Sequence, residues 1–275
     1  MITALKEMQD IQLKTALEVK RICEKYNIPY FLVGGTLLGA VRHEGFIPWD
    51  DDLDIGMLRE DYEKFIKVAP KELSDSYFLQ TWFTDKSFGL PFAKIRVNET
   101  KFIEQNSINV NCHNGIFIDI FPFDNVPNQL SLQKKHNQRL FIFKRLLLVK
   151  CGYCLWDDGS FLKKIIYKAA KLGSFFIPLT LLKQSLTKEM IKYNNLKTEK
   201  VAALGSPFSY FQEQTKKEWI SKQINLVFEG TKFSCPNGYE KYLNSHYGDY
   251  MTLPPVENRV SGHGVLKVET KNSAE

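Results

Sequence analysis

The stretch from Val33 to Gly56, VGGTLLGAVRHEGFIPWDDDLDIG, constrains this chain more than any other. A short apolar strand, Tyr30 to Val33, runs into the turn Gly34-Gly35, and a brief helix from Thr36 to Arg42 is expected to follow with its N-terminus at that turn. Four carboxylates then crowd into the five residues Asp50 to Asp54, two of them alternating with apolar neighbours as Asp52-Leu53-Asp54-Ile55. Strand alternation over Asp51 to Met57 places Asp52 and Asp54 on one face and Leu53 and Ile55 on the other. Asp50 falls in the same alternation, and Asp51 is expected to point away unless the strand begins after it. A glycine turn lets backbone approach a phosphate, and paired carboxylates on a rigid strand suit a hard divalent ion, Mg2+ or Mn2+. The block thus predicts metal-dependent phosphoryl transfer. A solvated acidic loop would not interleave Leu and Ile, and a calcium loop needs a glycine at its sixth position, where counting from Asp50 finds Ile55.

Further elements complete a mixed α/β (α+β) first half. An amphipathic helix is predicted over 4–26, with Met8, Ile11, Val19, Ile22 and Tyr26 at helical spacing. A second carries Tyr62, Phe65, Ile66 and Ala69 and is expected to stop at Pro70. Phe92 to Val97 alternates with Lys94 and Arg96 on one side, either as phosphate grips or as ordinary charges on a strand edge. Gly115 to Phe121 places Asp119 among Phe117 and Phe121, where a buried acid needs a cation or hydrogen bonds. Asp119 reads as a metal ligand or a base, or else as a cap on the Phe-Pro turn that follows. Arg42 and His43, between the glycines and the acids, are placed to reach phosphate, although His43 also reads as a neutral packing residue.

From about Ser131 the chain turns helical and basic, which divides it into a catalytic core over 1–130 and a helical region over 131–275 whose C-terminal segment folds back. In that region Phe161, Ile165, Ala169, Leu172 and Phe176 form an apolar stripe, and Lys164, Lys168 and Lys171 a basic one. Such a helix either packs in the core or lies on an anionic membrane face. A further helix is suggested by Leu186, Met190 and Tyr193, a hairpin by Ile224 to Ser234 around Glu229-Gly230, and a last helix by Tyr239 to His246. Residues beyond about Gly264 are expected to fray.

The net charge of +6 is dispersed and fits an anionic substrate or membrane; no arginine-rich arm or aromatic-basic motif points to nucleic acid. Five scattered cysteines make no disulfide framework, and Cys151-Gly-Tyr-Cys154 lacks the second ligand pair of a zinc site. No secretory leader opens the sequence, and the apolar run Leu172 to Leu182 is too short to span a bilayer. A cytoplasmic protein with reduced thiols, either free or peripheral at the inner face of the membrane, is the expectation.

The segment GTLLGAVRHEGFIPWDDDLDIGM resembles the signature of the LicD family of phosphocholine transferases, relatives of the fukutin-type phosphotransferases. The likeness continues through REDYEKF (Arg59 to Phe65), GIFIDIFPFD (Gly115 to Asp124) and YGDYMTLPP (Tyr247 to Pro255). The resemblance implies a nucleotidyltransferase-like fold. It puts Gly34 and Gly35 at the substrate turn, Asp52 and Asp54 at the metal and Asp119 as the third acid of the catalytic and metal-binding set; the residues themselves add Thr36, Arg42, His43, Trp49, Lys94 and Arg96 as candidates around the donor. It further implies phosphocholine transfer from CDP-choline to a sugar hydroxyl of a lipid-linked teichoic-acid or lipopolysaccharide precursor. Trp49, Trp82, Tyr247 and Tyr250 are then candidates to cage the choline. Another CDP-alcohol, nucleotidyl transfer from an NTP, and an inactive scaffold are the competing readings.

Overall fold

The computed structural model describes residues 2–154, 161–260 and 264–270, with backbone alone at 2, 3, 161–164 and 166. Helix α1 (Ile2–Tyr26) ends where Asn27 turns to a φ of 51°, a conformation asparagine tolerates at a helix end. Strand β1 (Phe31–Leu32) leads into α2 (Gly34–His43), so the glycine pair forms the first turn of the helix itself. Strand β2 (Asp54–Leu58) begins at the last acid, and the predicted strand over 51–53 is instead irregular. Helix α3 (Arg59–Glu72) passes through Pro70 in its last turn, where a proline forfeits a single hydrogen bond, so the expected stop falls slightly later.

Strands β3 (Tyr77–Gln80), β4 (Ala93–Val97) and β5 (Lys101–Glu104) precede the long β6 (Phe117–Val126). Pro122 lies inside β6 beyond the last residue paired to β4, Ile120, so its missing N–H breaks no bond on that side. Asp119 therefore sits in mid-strand and caps no turn. Helices α4 (Leu130–Cys151), α5 (Phe161–Phe175) and α6 (Leu179–Ile191) make the basic helical stretch. Strands β7 (Lys200–Ala202) and β8 (Gln214–Lys216) and helix α7 (Lys217–Ile220) follow. The hairpin of β9 (Gln223–Phe228) and β10 (Thr231–Pro236), helix α8 (Tyr239–Tyr247) and β11 (Val265–Glu269) complete the order. Strand β11 corrects the frayed tail expected beyond Gly264 over residues 265–269: it pairs antiparallel with β5, and its Val265 and Val268 pack against the cluster of Met8, Phe102, Ile116 and Phe117, while residues 271–275 lie outside the described residues.

Seven strands form one mixed sheet in the order β1-β2-β6-β4-β3, with β7 joined to the far half of β6 and β8 to β7. Only β2 and β6 run parallel; β4 is a central strand, so Lys94 and Arg96 do not occupy an exposed edge. One face of the sheet, through Ile55, Ile118, Ile120 and Ile95, is buried with Val19, Ile22, Tyr62 and Phe65 of α1 and α3 in the main core. A second cluster joins α4 and α6 to β7 through Leu140, Leu186, Met190 and Ala202. All five cysteines are free, and no helix among the described residues is long and apolar enough to cross a membrane.

Candidate active site

Three charged side chains stand in one row across the middle of the sheet. Asp54 of β2 is paired with Asp119 of β6, and Asp119 in turn with Lys94 of β4. The next row, Ile55, Ile120 and Ala93, lies in the main core, so the pleat turns Asp54, Asp119 and Lys94 to the opposite face. The Lys94 ammonium lies 2.8 Å from Asp119 Oδ1 and over the Phe117 ring. Both partners are almost fully buried, and the ammonium holds the Asp119 carboxylate in a fixed position.

Asp54 is fixed through its backbone. Its N–H donates to Thr36 Oγ1 at 2.8 Å and its carbonyl accepts from Val33 N–H at 3.2 Å. Its Oδ1 is buried with no hydrogen-bond partner among the described residues. Burial, then the negative charges of Asp52, Asp119 and Asp50, push its carboxyl well above the usual carboxylate range, and only Lys94 opposes them. A carboxylate with an unsatisfied buried oxygen and three anionic neighbours is one whose charge a divalent cation would balance.

The glycine turn explains itself against these acids. Gly34 has a φ of +57°, and a Cβ there would stand 3.2 Å from Asp54 Oδ2. A Cβ on Gly35 would come within 2.7 Å of Asp50 Oδ2. The two glycines thus let backbone lie directly against two carboxylates, at the start of a ten-residue helix in whose first turn the Gly34 N–H goes to Tyr242 and the Leu37 N–H to the Val33 carbonyl, while those of Gly35 and Thr36 take no partner among the described residues.

Because β2 starts only at Asp54, residues 50–53 are free of strand alternation. One carboxylate oxygen from each of Asp50, Asp51 and Asp52 lies within 4.8 Å of the others. Asp51 does not point away from its neighbours as strand geometry had suggested, and it is buried. Helix α1 pins this segment: Gln9 Nε2 donates to the Asp50 carbonyl (2.9 Å) and Gln12 Nε2 to the Asp51 carbonyl (2.8 Å). The carboxylates close enough together to share one divalent ion are thus those of Asp50, Asp51 and Asp52; of the expected trio Asp52, Asp54 and Asp119, the last two join no such group among the described residues, although Asp54 lies among the charges of Asp52, Asp119 and Asp50.

The rim is built from α2, α8 and the segment after it. Tyr242 Oη accepts the Gly34 N–H at 3.4 Å, and the Tyr247 hydroxyl lies 3.9 Å from where a Cβ on Gly34 would stand. Burial, then Asp54, Asp50 and Asp52, raise the Tyr247 phenol, although its ring is 45% exposed. Its hydroxyl is thus turned inward to the acids while part of the ring faces solvent. Arg42 donates to the Tyr250 carbonyl at 2.8 Å, and Arg259 to the Pro254 carbonyl at 2.9 Å. The Arg259 guanidinium lies over the Trp49 ring, 5.5 Å from its centroid, and His43 meets the same ring edge-on. Burial and the nearby Arg259 charge lower the Arg42 guanidinium, and burial with Arg42 lowers His43. Two adjacent guanidiniums at the mouth make an electropositive edge opposite the acids.

The structure thus brings together Gly34, Gly35, Thr36, Asp52, Asp54, Asp119 and Lys94, with Arg42, His43 and Trp49 at the rim. Thr36 is buried and anchors Asp54. Arg96 gives its donors to Gln80 Oε1 and the Gly115 carbonyl, both at 2.7 Å, which engages it away from the acid row. Trp82 packs with the second cluster beside α4 and α6 and does not join the rim. Cys151 and Cys154 belong to no group of three metal-ligating side chains among the described residues. Tyr242, Arg259, Gln9 and Gln12 escaped sequence reading. No local spacing marks them, since each reaches the site only through contacts across the fold.

Comparison with known proteins places the chain in a family. The family described as LicD/FKTN/FKRP, nucleotidyltransferase domain, matches residues 27–149, a span that holds the glycine turn, the acids and Lys94. The chain is 31% identical over 270 residues to the lipopolysaccharide cholinephosphotransferase LicD of Haemophilus influenzae, covering 94% of this chain and 96% of that one. It is 28% identical over 110 residues to the ribitol 5-phosphate transferase FKRP of Homo sapiens, covering 40% of this chain and 20% of that one. A protein of Rickettsia typhi is 50% identical over 54 residues, 20% of this chain. On likeness that runs almost end to end, the chain belongs to the LicD family.

Proposed function

We propose that this chain transfers phosphocholine from CDP-choline to a sugar hydroxyl of a lipid-linked cell-surface glycan precursor and releases CMP. The row Asp54–Asp119–Lys94 beside the Gly34-Gly35 turn carries the reading: acids and backbone donors converge where a diphosphate and a divalent cation would meet. The resemblance over almost the full length to a lipopolysaccharide cholinephosphotransferase supports the donor.

Asp52 and Asp54 would hold the Mg2+, which when bound neutralises charge on the donor phosphates. Gly34 and Gly35 present backbone to those phosphates. In the transfer the acceptor oxygen bonds to the phosphorus that bears choline, and the bond from that phosphorus to the bridging oxygen breaks. CMP departs with the bond's electron pair, and the hydroxyl proton passes to a carboxylate of the cluster, Asp119 in this reading. Arg42 and Arg259 offset the charge gathering on the leaving CMP. Tyr247 and Trp49, whose ring already receives a guanidinium, are the aromatics placed to meet the quaternary ammonium.

The test is the purified chain with CDP-choline, Mg2+ and glycan precursor, with acceptor mass as the readout. The expected result is CMP release with phosphocholine added to the acceptor, lost in Asp52→Ala and Asp54→Ala. Full CMP release by both variants would sink the assignment. The likeness to a ribitol 5-phosphate transferase favours one second reading, a CDP-ribitol donor, and a panel of CDP-alcohols and NTPs separates it from the first and from nucleotidyl transfer.

A further inference from the structure

Helix α5 is amphipathic in the reverse of the usual sense. The positions it turns inward are Tyr167, Ala170 and Ser174, of which Ser174 is buried, and Lys150 Nζ of α4 donates to the Ser174 carbonyl at 2.7 Å. On the opposite side Ile165, Ala169 and Leu172 follow one another at helical spacing and all are exposed, continuing into Phe176 just past the helix end. Leu172 is 69% exposed, Phe175 76% and Phe176 79%. The stripe read from the sequence is real at these positions but faces away from the core; the side chains of Phe161 and Lys164 lie outside the described residues.

The electrostatics single out one kind of partner. Lys168 and Lys171 are exposed beside the apolar stripe, and α4 and α5 contain no Asp or Glu. Residues 125–188 carry twelve Lys and Arg against two Asp, a net +10 in a chain whose total is +6. This span thus carries more than the chain's whole excess of positive charge, and the exposed Ile165, Leu172, Phe175 and Phe176 lie within it. An apolar stripe flanked by lysines that make no ion pair among the described residues matches the acyl boundary and the headgroups of an anionic bilayer. A protein partner or a second copy would cover apolar surface equally well, but a second copy would bring the same exposed lysines, Lys168 and Lys171, against the first.

We propose that the outward face of α5 with Phe175 and Phe176 docks this protein on an anionic lipid surface. The docking goes beyond the transfer reaction and does not depend on it. Both would be served together, since a face that holds the enzyme on lipid also holds it near a lipid-linked acceptor.

The test is co-sedimentation of the full chain with phosphatidylglycerol/phosphatidylcholine vesicles and with pure phosphatidylcholine vesicles. Binding is expected to the anionic vesicles alone, and to weaken with salt. The charge reversal Lys168→Glu with Lys171→Glu is expected to weaken it at least about 25-fold, from about fivefold per lysine. Leu172→Asp with Phe176→Asp should weaken it at least about tenfold. Because these side chains are exposed, circular dichroism and the melting temperature of both variants should match the parent. Asp52→Ala should bind like the parent, so loss of transfer and loss of docking read out separately. No binding to anionic vesicles, or unchanged binding by both double variants, overturns the proposal. It is also overturned if the parent is a dimer in solution that Leu172→Asp with Phe176→Asp splits into monomers, since a second copy then covers the face.

Discussion

Replacing Gly34 by alanine separates two things that the turn does at once. At a φ of +57° any Cβ meets the following carbonyl, which costs about 1–2 kcal/mol, partly offset by about 0.4–1 kcal/mol from the stiffer unfolded chain. A net loss near 1 kcal/mol lowers Tm by about 2–4 °C for a chain of this size. The new Cβ also stands 3.2 Å from Asp54 Oδ2, and Asp54 cannot retreat freely, because Thr36 and the β2–β6 ladder hold its backbone. A carboxylate displaced by a few tenths of an ångström in a phosphoryl-transfer site should cost about tenfold in rate. Gly230→Ala is the control. Its φ of +72° imposes the same backbone strain, but nothing lies within 4 Å of the added Cβ. Differential scanning calorimetry should show similar Tm losses in the two variants, while CMP release from CDP-choline falls about tenfold for Gly34→Ala and stays within about twofold for Gly230→Ala. Equal activities in the two variants would refute the claim that Gly34 is glycine in order to admit Asp54.

Asp124 is fully buried, accepts two bonds from Arg59 (2.5 and 2.8 Å) and one from Asn194 (2.7 Å). Asp124→Asn leaves that guanidinium uncompensated and should cost about 3–5 kcal/mol in urea unfolding, most of it recovered when Asp124→Leu is combined with Arg59→Met. Thr36→Val keeps the shape of the side chain but strands the Asp54 N–H, so about 1–3 kcal/mol of stability and much of the activity should be lost, both retained in Thr36→Ser. His136, enclosed between Tyr210 Oη and the Glu189 carbonyl, has its imidazole lowered below 6.5 by burial, and His43, His113 and His246 are lowered in the same direction. The unfolded chain therefore takes up protons that the folded chain refuses: this stability is complete above about pH 6.5 and drains away as pH falls below it. Urea midpoints at pH 7.5 and 5.5 should differ accordingly, and by less in His136→Gln.

The site divides according to the range of the interactions that build it. Asp54, Asp119 and Lys94 were legible one by one, because each is a charge placed in an alternating apolar strand, and a charge there must have a partner. That they partner one another was not legible, since the register of β2 on β6 and of β6 on β4 depends on chain segments far apart. Strand alternation misled at Asp51 for a local reason: α1 pins the carbonyls of residues 50 and 51 through Gln9 and Gln12, and the pleat begins only at Asp54. The segment just beyond Gly264 was expected to fray, yet its Val265 and Val268 find an apolar cluster and its backbone an open edge on β5, both supplied by residues far away in the chain.

What the sequence determined by itself is the chemistry: a glycine turn, an acid-apolar-acid pair and a later strand acid admit few uses, and their spacing survives any detail of packing. Periodicity likewise dictated most helices and strands, because burial of one face is decided within a few residues. The tertiary structure alone decided which way a face points. It turned the stripe of α5 outward, engaged Arg96 with Gln80 and Gly115, and drew Arg259 and Tyr247 to the mouth of the site. Local sequence sets how polar and apolar residues are divided around an element, but only the rest of the fold supplies the surface that one of its faces must meet.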